Sequence, residues 1–176
     1  MKGSSSRHSS GLSISKICQL AVMGCVIYVA KMALAGLPNI EPVSLMVILL
    51  AVVWGWEGLW SVYIYVFLEF CTWGMHAWNV YYLYVWLVLF AAAFLMRRNE
   101  SRFMWACLGA AFGLLFGGLC ALTQIFISGP AGALAWWISG IPFDLVHAAG
   151  NFILILLLFQ PLKRAMESIK NRLAQP

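Results

Sequence analysis

Six apolar runs, at 17–35, 43–53, 59–73, 80–96, 103–127 and 141–162, organise the chain, and short polar, glycine- or proline-bearing breaks separate them. Only Lys31 interrupts the first run; the two prolines and Asn39 of Gly36-Leu-Pro-Asn-Ile-Glu-Pro42 forbid helix continuation at its end. Trp54-Gly-Trp-Glu-Gly58 stops the second run, and residues 74–79 stop the third. Apolar runs of this length, without a soluble-helix stripe, predict helices bathed in lipid rather than water. The expectation is an all-α integral membrane protein: a bundle of six transmembrane helices over 17–162, flanked by a Ser- and Gly-rich disordered tail (1–16) and a basic tail (163–176).

Composition sharpens this reading. Apolar residues make up 63% of the chain and charged ones 10%, whereas a soluble domain carries about 25% charged residues. With 176 residues and about 20 per crossing, a separate soluble catalytic domain has no room.

The formal charge of +5 does not point to nucleic acid, because it lies in short clusters beside the apolar runs. Lys2, Arg7 and Lys16 precede the first span; Arg97, Arg98 and Arg102 follow the fourth; Lys163, Arg164, Lys170 and Arg172 follow the sixth. Four crossings and then two separate the clusters, so all three fall on the cytoplasmic face and both termini are inside. The outer face then carries residues 36–42, 74–79 and 128–140. A signal peptide cleaved after Ala33-Leu34-Ala35 would leave five spans and break this parity.

Polar residues inside the spans are lopsided. Lys31 and Glu69 each lie about five residues from the outer end of their span, ~7 Å deep, where they are able to pair. Asp144, His147 and Asn151 are spaced i, i+3, i+7 and so share one helical face, either as an interhelical hydrogen-bond network or as one wall of an outward-opening pocket. Trp78 and Tyr82, with Trp73, Tyr81, Trp86 and Trp136-Trp137, add aromatic faces suited to a flat ring, and Asn79 adds an outer-side hydrogen-bonding group. The inner half carries small residues instead: Ala21, Gly24 and Cys25 in the first span, and Ala106, Gly109, Ala110, Gly113 and Gly117 in the fifth. Such ladders serve close helix packing or docking of a membrane partner.

The five cysteines form no C-x-x-C pair, so neither a metal site nor a disulfide framework is expected, and no cofactor is implied. P-loop, H-E-x-x-H and G-x-S-x-G motifs are all absent. An intramembrane enzyme using Asp144 and His147 as an acid/base pair is the alternative function, though no nucleophile accompanies them.

Several segments resemble the substrate-binding S component of energy-coupling factor (ECF) transporters. They are Lys31 to Leu45, Tyr81-Tyr-Leu-Tyr-Val-Trp86, Phe112-Gly-Leu-Leu-Phe-Gly117 and, most specifically, Gly140-Ile-Pro-Phe-Asp-Leu-Val-His-Ala-Ala-Gly-Asn151 followed by Phe159-Gln-Pro-Leu162. The resemblance covers nearly the whole chain. It implies a non-enzymatic subunit of a bacterial cell-membrane importer that captures a vitamin or related micronutrient from outside, a flat heteroaromatic or a corrinoid such as cobalamin. It implies partners too: a transmembrane T component and two cytoplasmic ABC ATPases, which would supply the missing P-loop. The loop after the first helix, with Asn39 and Glu41, would gate the pocket. Ala21, Gly24 and Cys25 would face the T component, although Ala21-Val-Met-Gly-Cys25 has Cys where the family pattern has a second Ala. Inward delivery would proceed by toppling of the whole bundle.

Overall fold

In the computed structural model, which describes residues 13–37, 40 and 42–173, the described chain is helical throughout its regular structure and has no strand. The elements are α1 (Ile14–Ala33), α2 (Val43–Val53), a 3-10 turn at Gly55–Glu57, α3 (Gly58–Trp73), α4 (Ala77–Leu95) and α5 (Arg102–Leu173). Three of them, α1, α4 and α5, are long and apolar enough to cross a membrane. Large apolar side chains such as Val22, Val26, Leu83, Leu87, Leu115, Leu122, Ile153 and Leu157 point outward. Water would penalise such a surface, so the architecture is compatible with a membrane helical bundle.

The first four helices begin and end where local chemistry dictates. Ser13 caps α1, its Oγ accepting the Lys16 N–H at 3.3 Å. Gly74, at φ 73°, ends α3 in a conformation that a side chain disfavours. Asn79 Oδ1 accepts the His76 N–H at 3.0 Å and fixes the start of α4.

α5 corrects the sequence reading. Residues 128–140, expected as an outer loop, are helical except at Gly129, where φ 74° and ψ 172° reverse the chain. Pro130 follows immediately, where its fixed φ and missing N–H suit a helix start. α5 is therefore a hairpin of two arms, 102–128 and 130–173, of roughly 40 and 65 Å, each longer than the ~30 Å hydrocarbon core. One further difference lies at the N-terminal end. Ile14 to Lys16 belong to α1 rather than to the N-terminal tail; at the other end, helix runs through the basic segment as far as Leu173.

α2 departs from a lipid-facing span as well. Ten of its 11 residues are buried, and at ~16 Å it is little more than half the hydrocarbon thickness. It is the axial core, apolar all round because protein surrounds it on every side.

The two ends of the bundle differ. At one end Lys16 Nζ pairs with Glu57 Oε1 at 2.6 Å, and Lys170 Nζ donates to Val53 O at 2.6 Å, where the C-terminus of α2 favours a cation. Trp105 Nε1 donates to Asn99 O at 3.1 Å there. Both described ends of the chain meet at this basic face. Lys31, Glu69, Asn79, Tyr82 and Trp136 lie at the opposite end.

The seam between the α5 arms is built on the glycine ladder. A Cβ on Gly113 would sit 2.6 Å from Ala148 N, and one on Gly117 would sit 2.5 Å from Asp144 Oδ2. Glycine thus permits backbone-to-backbone approach here. Trp105 stacks on Phe159, with ring centroids 5.5 Å apart, near the basic end of the same seam.

Candidate functional site

Two neighbouring cavities open near the end opposite the basic face, and Trp78 and Tyr82 line both. The first, about 180 Å³, is completed by Lys31, Glu69, Trp73 and Asn79. The second, about 270 Å³, is completed by Tyr81, Phe116, Cys120, Trp136 and His147.

Helix geometry explains the first lobe. Lys31 is in the last turn of α1 and Glu69 is one turn from the end of α3. Lys31 Nζ donates to Glu69 Oε2 at 2.7 Å and to Tyr82 Oη at 3.3 Å. It also lies over the Tyr82 ring, 5.1 Å from the centroid, and 5.9 Å from that of Tyr65. The ammonium is thus held by a carboxylate and two aromatic faces in a place where neither charge has much water. Glu69 is 4% exposed, and its Oε1 has no partner among the described residues.

The second lobe is aromatic. Phe116 meets His147 edge-on at 4.9 Å, and Tyr81 meets Trp136 edge-on at 6.2 Å. Gln124 Nε2 donates to Tyr81 Oη at 2.7 Å, locking that ring to the first arm of α5. His147 is 3% exposed and its Nε2 has no partner among the described residues. A buried polar atom left open in a cavity wall is a place where a bound molecule would supply the missing hydrogen bond.

The residues expected to bind substrate therefore divide. Lys31, Glu69, Trp78, Asn79 and Tyr82 come together in the first lobe, and His147 faces the second. Asp144 and Asn151 share the buried face with His147 but are turned to the α5 seam. Gly117 N–H donates to Asp144 Oδ1 at 3.0 Å, and Asn151 Nδ2 donates to Gly109 O at 3.1 Å. They act as interhelical clasps.

Asn39 and Glu41, the expected gate, lie outside the described residues. Of the three expected docking residues, Gly24 is buried inside the bundle, where a Cβ would meet Ile64 Cγ2 at 2.6 Å and Ser61 O at 2.8 Å. Ala21 lines an apolar groove with Trp60 and Ile64, and Cys25 is exposed.

Sequence reasoning missed Tyr65, Phe116 and Cys120. Tyr65 is one turn before Glu69, and i, i+4 spacing was the signal that would have found it. Phe116 lies within the run Phe112 to Gly117, where the glycines are the visible signal in the sequence. Cys120, 1% exposed, forms part of the second lobe; of five cysteines whose place in apolar runs suggests small core residues, it alone is buried, and Cys18, Cys25 and Cys71 are exposed.

Among the described residues no group of three or more His, Cys, Asp or Glu is placed to hold a metal. The arrangement suits reversible binding of a molecule with a flat face and a few polar atoms. No protein family, curated protein or solved structure matches the chain. A functional reading therefore rests on the geometry of these lobes together with the resemblance in the motifs.

Proposed function

We propose that this chain is the substrate-capture subunit of an ECF-type importer in a bacterial cell membrane. It would cross the bilayer six times with both termini cytoplasmic, bind a vitamin-like micronutrient from the outer side, and deliver it inward with a T component and two ABC ATPases. The observation that carries this reading is the two-lobed cleft formed by adjacent cavities: an ion-paired lobe and a histidine lobe share Trp78 and Tyr82 in their walls, at the end of the bundle opposite the basic clusters. Lys16, Arg97 and Lys170 at the basic end fit the cytoplasmic side, which turns the cleft outward.

A flat heteroaromatic ring suits the aromatic walls; two lobes of this size give poor accommodation to a corrinoid unless the first loop and the helices around it move. Transport by reorientation of the bundle suits the neutral Lys31–Glu69 pair, since the body of the bundle then carries little net charge through the bilayer.

The test is co-purification. Tagged chain expressed at native level is expected to retain a T component and two ATPases, together with a small molecule identifiable by mass spectrometry. Isolation without such partners, accompanied by turnover of a substrate, would favour the acid/base reading of Asp144 and His147 instead.

A further inference from the structure

The open valences in the two lobes specify more than a flat ring. The Lys31 ammonium has three N–H donors, of which one meets Glu69 Oε2 at 2.7 Å and one meets Tyr82 Oη at 3.3 Å. One donor remains. Glu69 Oε1, on the same carboxylate, is buried and accepts nothing among the described residues. In the lobe that Lys31 and Glu69 line, a donor and an acceptor without a hydrogen-bond partner among the described residues thus belong to one ion pair, with aromatic faces around it.

The complement of such a pair is a C=O next to an N–H on the rim of one ring. The charge balance points the same way. Lys31 and Glu69 already neutralise each other, so a cationic or anionic ligand would bring an unbalanced charge into a poorly hydrated site. Beyond the shared Trp78 and Tyr82 wall, His147 lines the second lobe and its buried Nε2 has no hydrogen-bond partner among the described residues, so it could meet one more polar atom on the far side of the ligand.

We propose that the cleft selects uncharged planar heterocycles that carry a lactam, cyclic imide or ureide edge: the Lys31–Glu69 pair reads that edge, and His147 reads a polar atom across the ring system. This rests on the cleft being the capture site. It narrows the substrate from any flat micronutrient to one chemical edge.

The experiment uses the full chain in lipid nanodiscs and four probes of similar size: quinazoline-2,4-dione, its 1,3-dimethyl derivative, which has no N–H left on the ring, benzamidinium and benzoate. Binding is read from quenching of tryptophan fluorescence and checked by calorimetry. The expected result is binding of the dione, with at least tenfold weaker binding of the N-methylated form and of both charged probes. In Lys31→Met/Glu69→Met the dione and its methylated form should bind within twofold of each other; should that variant not fold, the comparison on the unmodified chain decides alone. Equal binding of the dione and its methylated form by the unmodified chain would overturn the edge recognition while leaving the cleft as a binding site. Preferential binding of benzamidinium or benzoate would overturn the selection for neutral rings. Binding of none of the four would remove the cleft as a capture site, and the inference with it.

Discussion

The α5 seam and the two-lobed cleft are built from similar residues and come out differently. Both hold buried polar side chains between helices. In the seam, Asn151 Nδ2 and Asp144 Oδ1 reach backbone groups of the facing arm, Gly109 O and Gly117 N–H, because glycine lets the two arms approach, and only Asp144 Oδ2 is left without a partner among the described residues of that seam. In the cleft, the bulky rings of Trp78, Tyr82 and Trp136 line the cavities, and Glu69 Oε1 and His147 Nε2 have no partner among the described residues. Small residues close an interface and large rigid ones leave room in it. The position of polar residues along a helix is therefore a poorer guide to a binding site than the size of the residues facing them.

Substitutions that exchange the character of the two regions test this contrast. The largest effect is expected at Gly113. A valine there would push its Cβ into Ala148 backbone, and the cost should reach about 3 kcal/mol or more, seen as a loss of folded protein in detergent melts. Glu69→Ala comes next, since it strands the Lys31 ammonium; destabilisation of about 3 kcal/mol is expected. Lys31→Met/Glu69→Met should recover most of that loss, and an equally large loss in the double variant would show that the pair is not what matters.

His147→Phe keeps the ring against Phe116 and removes Nε2. Affinity for the co-purifying molecule should fall at least tenfold, ~1.4 kcal/mol, with the unfolding midpoint nearly unchanged; unaltered affinity would confine His147 to packing. Asn151→Leu should have the smallest effect, costing about 1 kcal/mol of stability and leaving affinity as it was. A selective loss of affinity in that variant would erase the distinction between seam and cleft.

Much of this organisation was legible in the sequence. Apolar runs placed the helices, because burial in lipid imposes a long, uninterrupted pattern. The depth of Lys31 and Glu69 foretold their pairing, since two opposite charges at one level of an apolar bundle stabilise each other. Other features were hidden. Residues 128–140 look like a loop because Gly129 and Pro130 sit together, yet the break takes a single residue and helix resumes at once. The enclosure of α2 is invisible to hydropathy, which is the same for a helix surrounded by lipid and one surrounded by protein.

The Asp144, His147 and Asn151 stripe shows the limit most clearly. Their spacing correctly put all three on one face. Which of them turned to a cavity depended on what stood opposite: Gly117 and Gly109 for two of them, Phe116 for the third. The same holds for Gly24, whose small size serves α3 inside the bundle.

Orientation of the cleft is the claim on which the transport reading turns, and labelling of intact cells tests it most directly. In a chain whose five cysteines are replaced by alanine or serine, single cysteines are introduced at Met75, beside the cleft, and at Asn99, on the basic face. A membrane-impermeant thiol reagent applied outside is expected to modify Met75→Cys and to spare Asn99→Cys until the membrane is opened. Modification of Asn99→Cys in intact cells, with Met75→Cys protected, would turn the cleft toward the cytosol and contradict capture from outside.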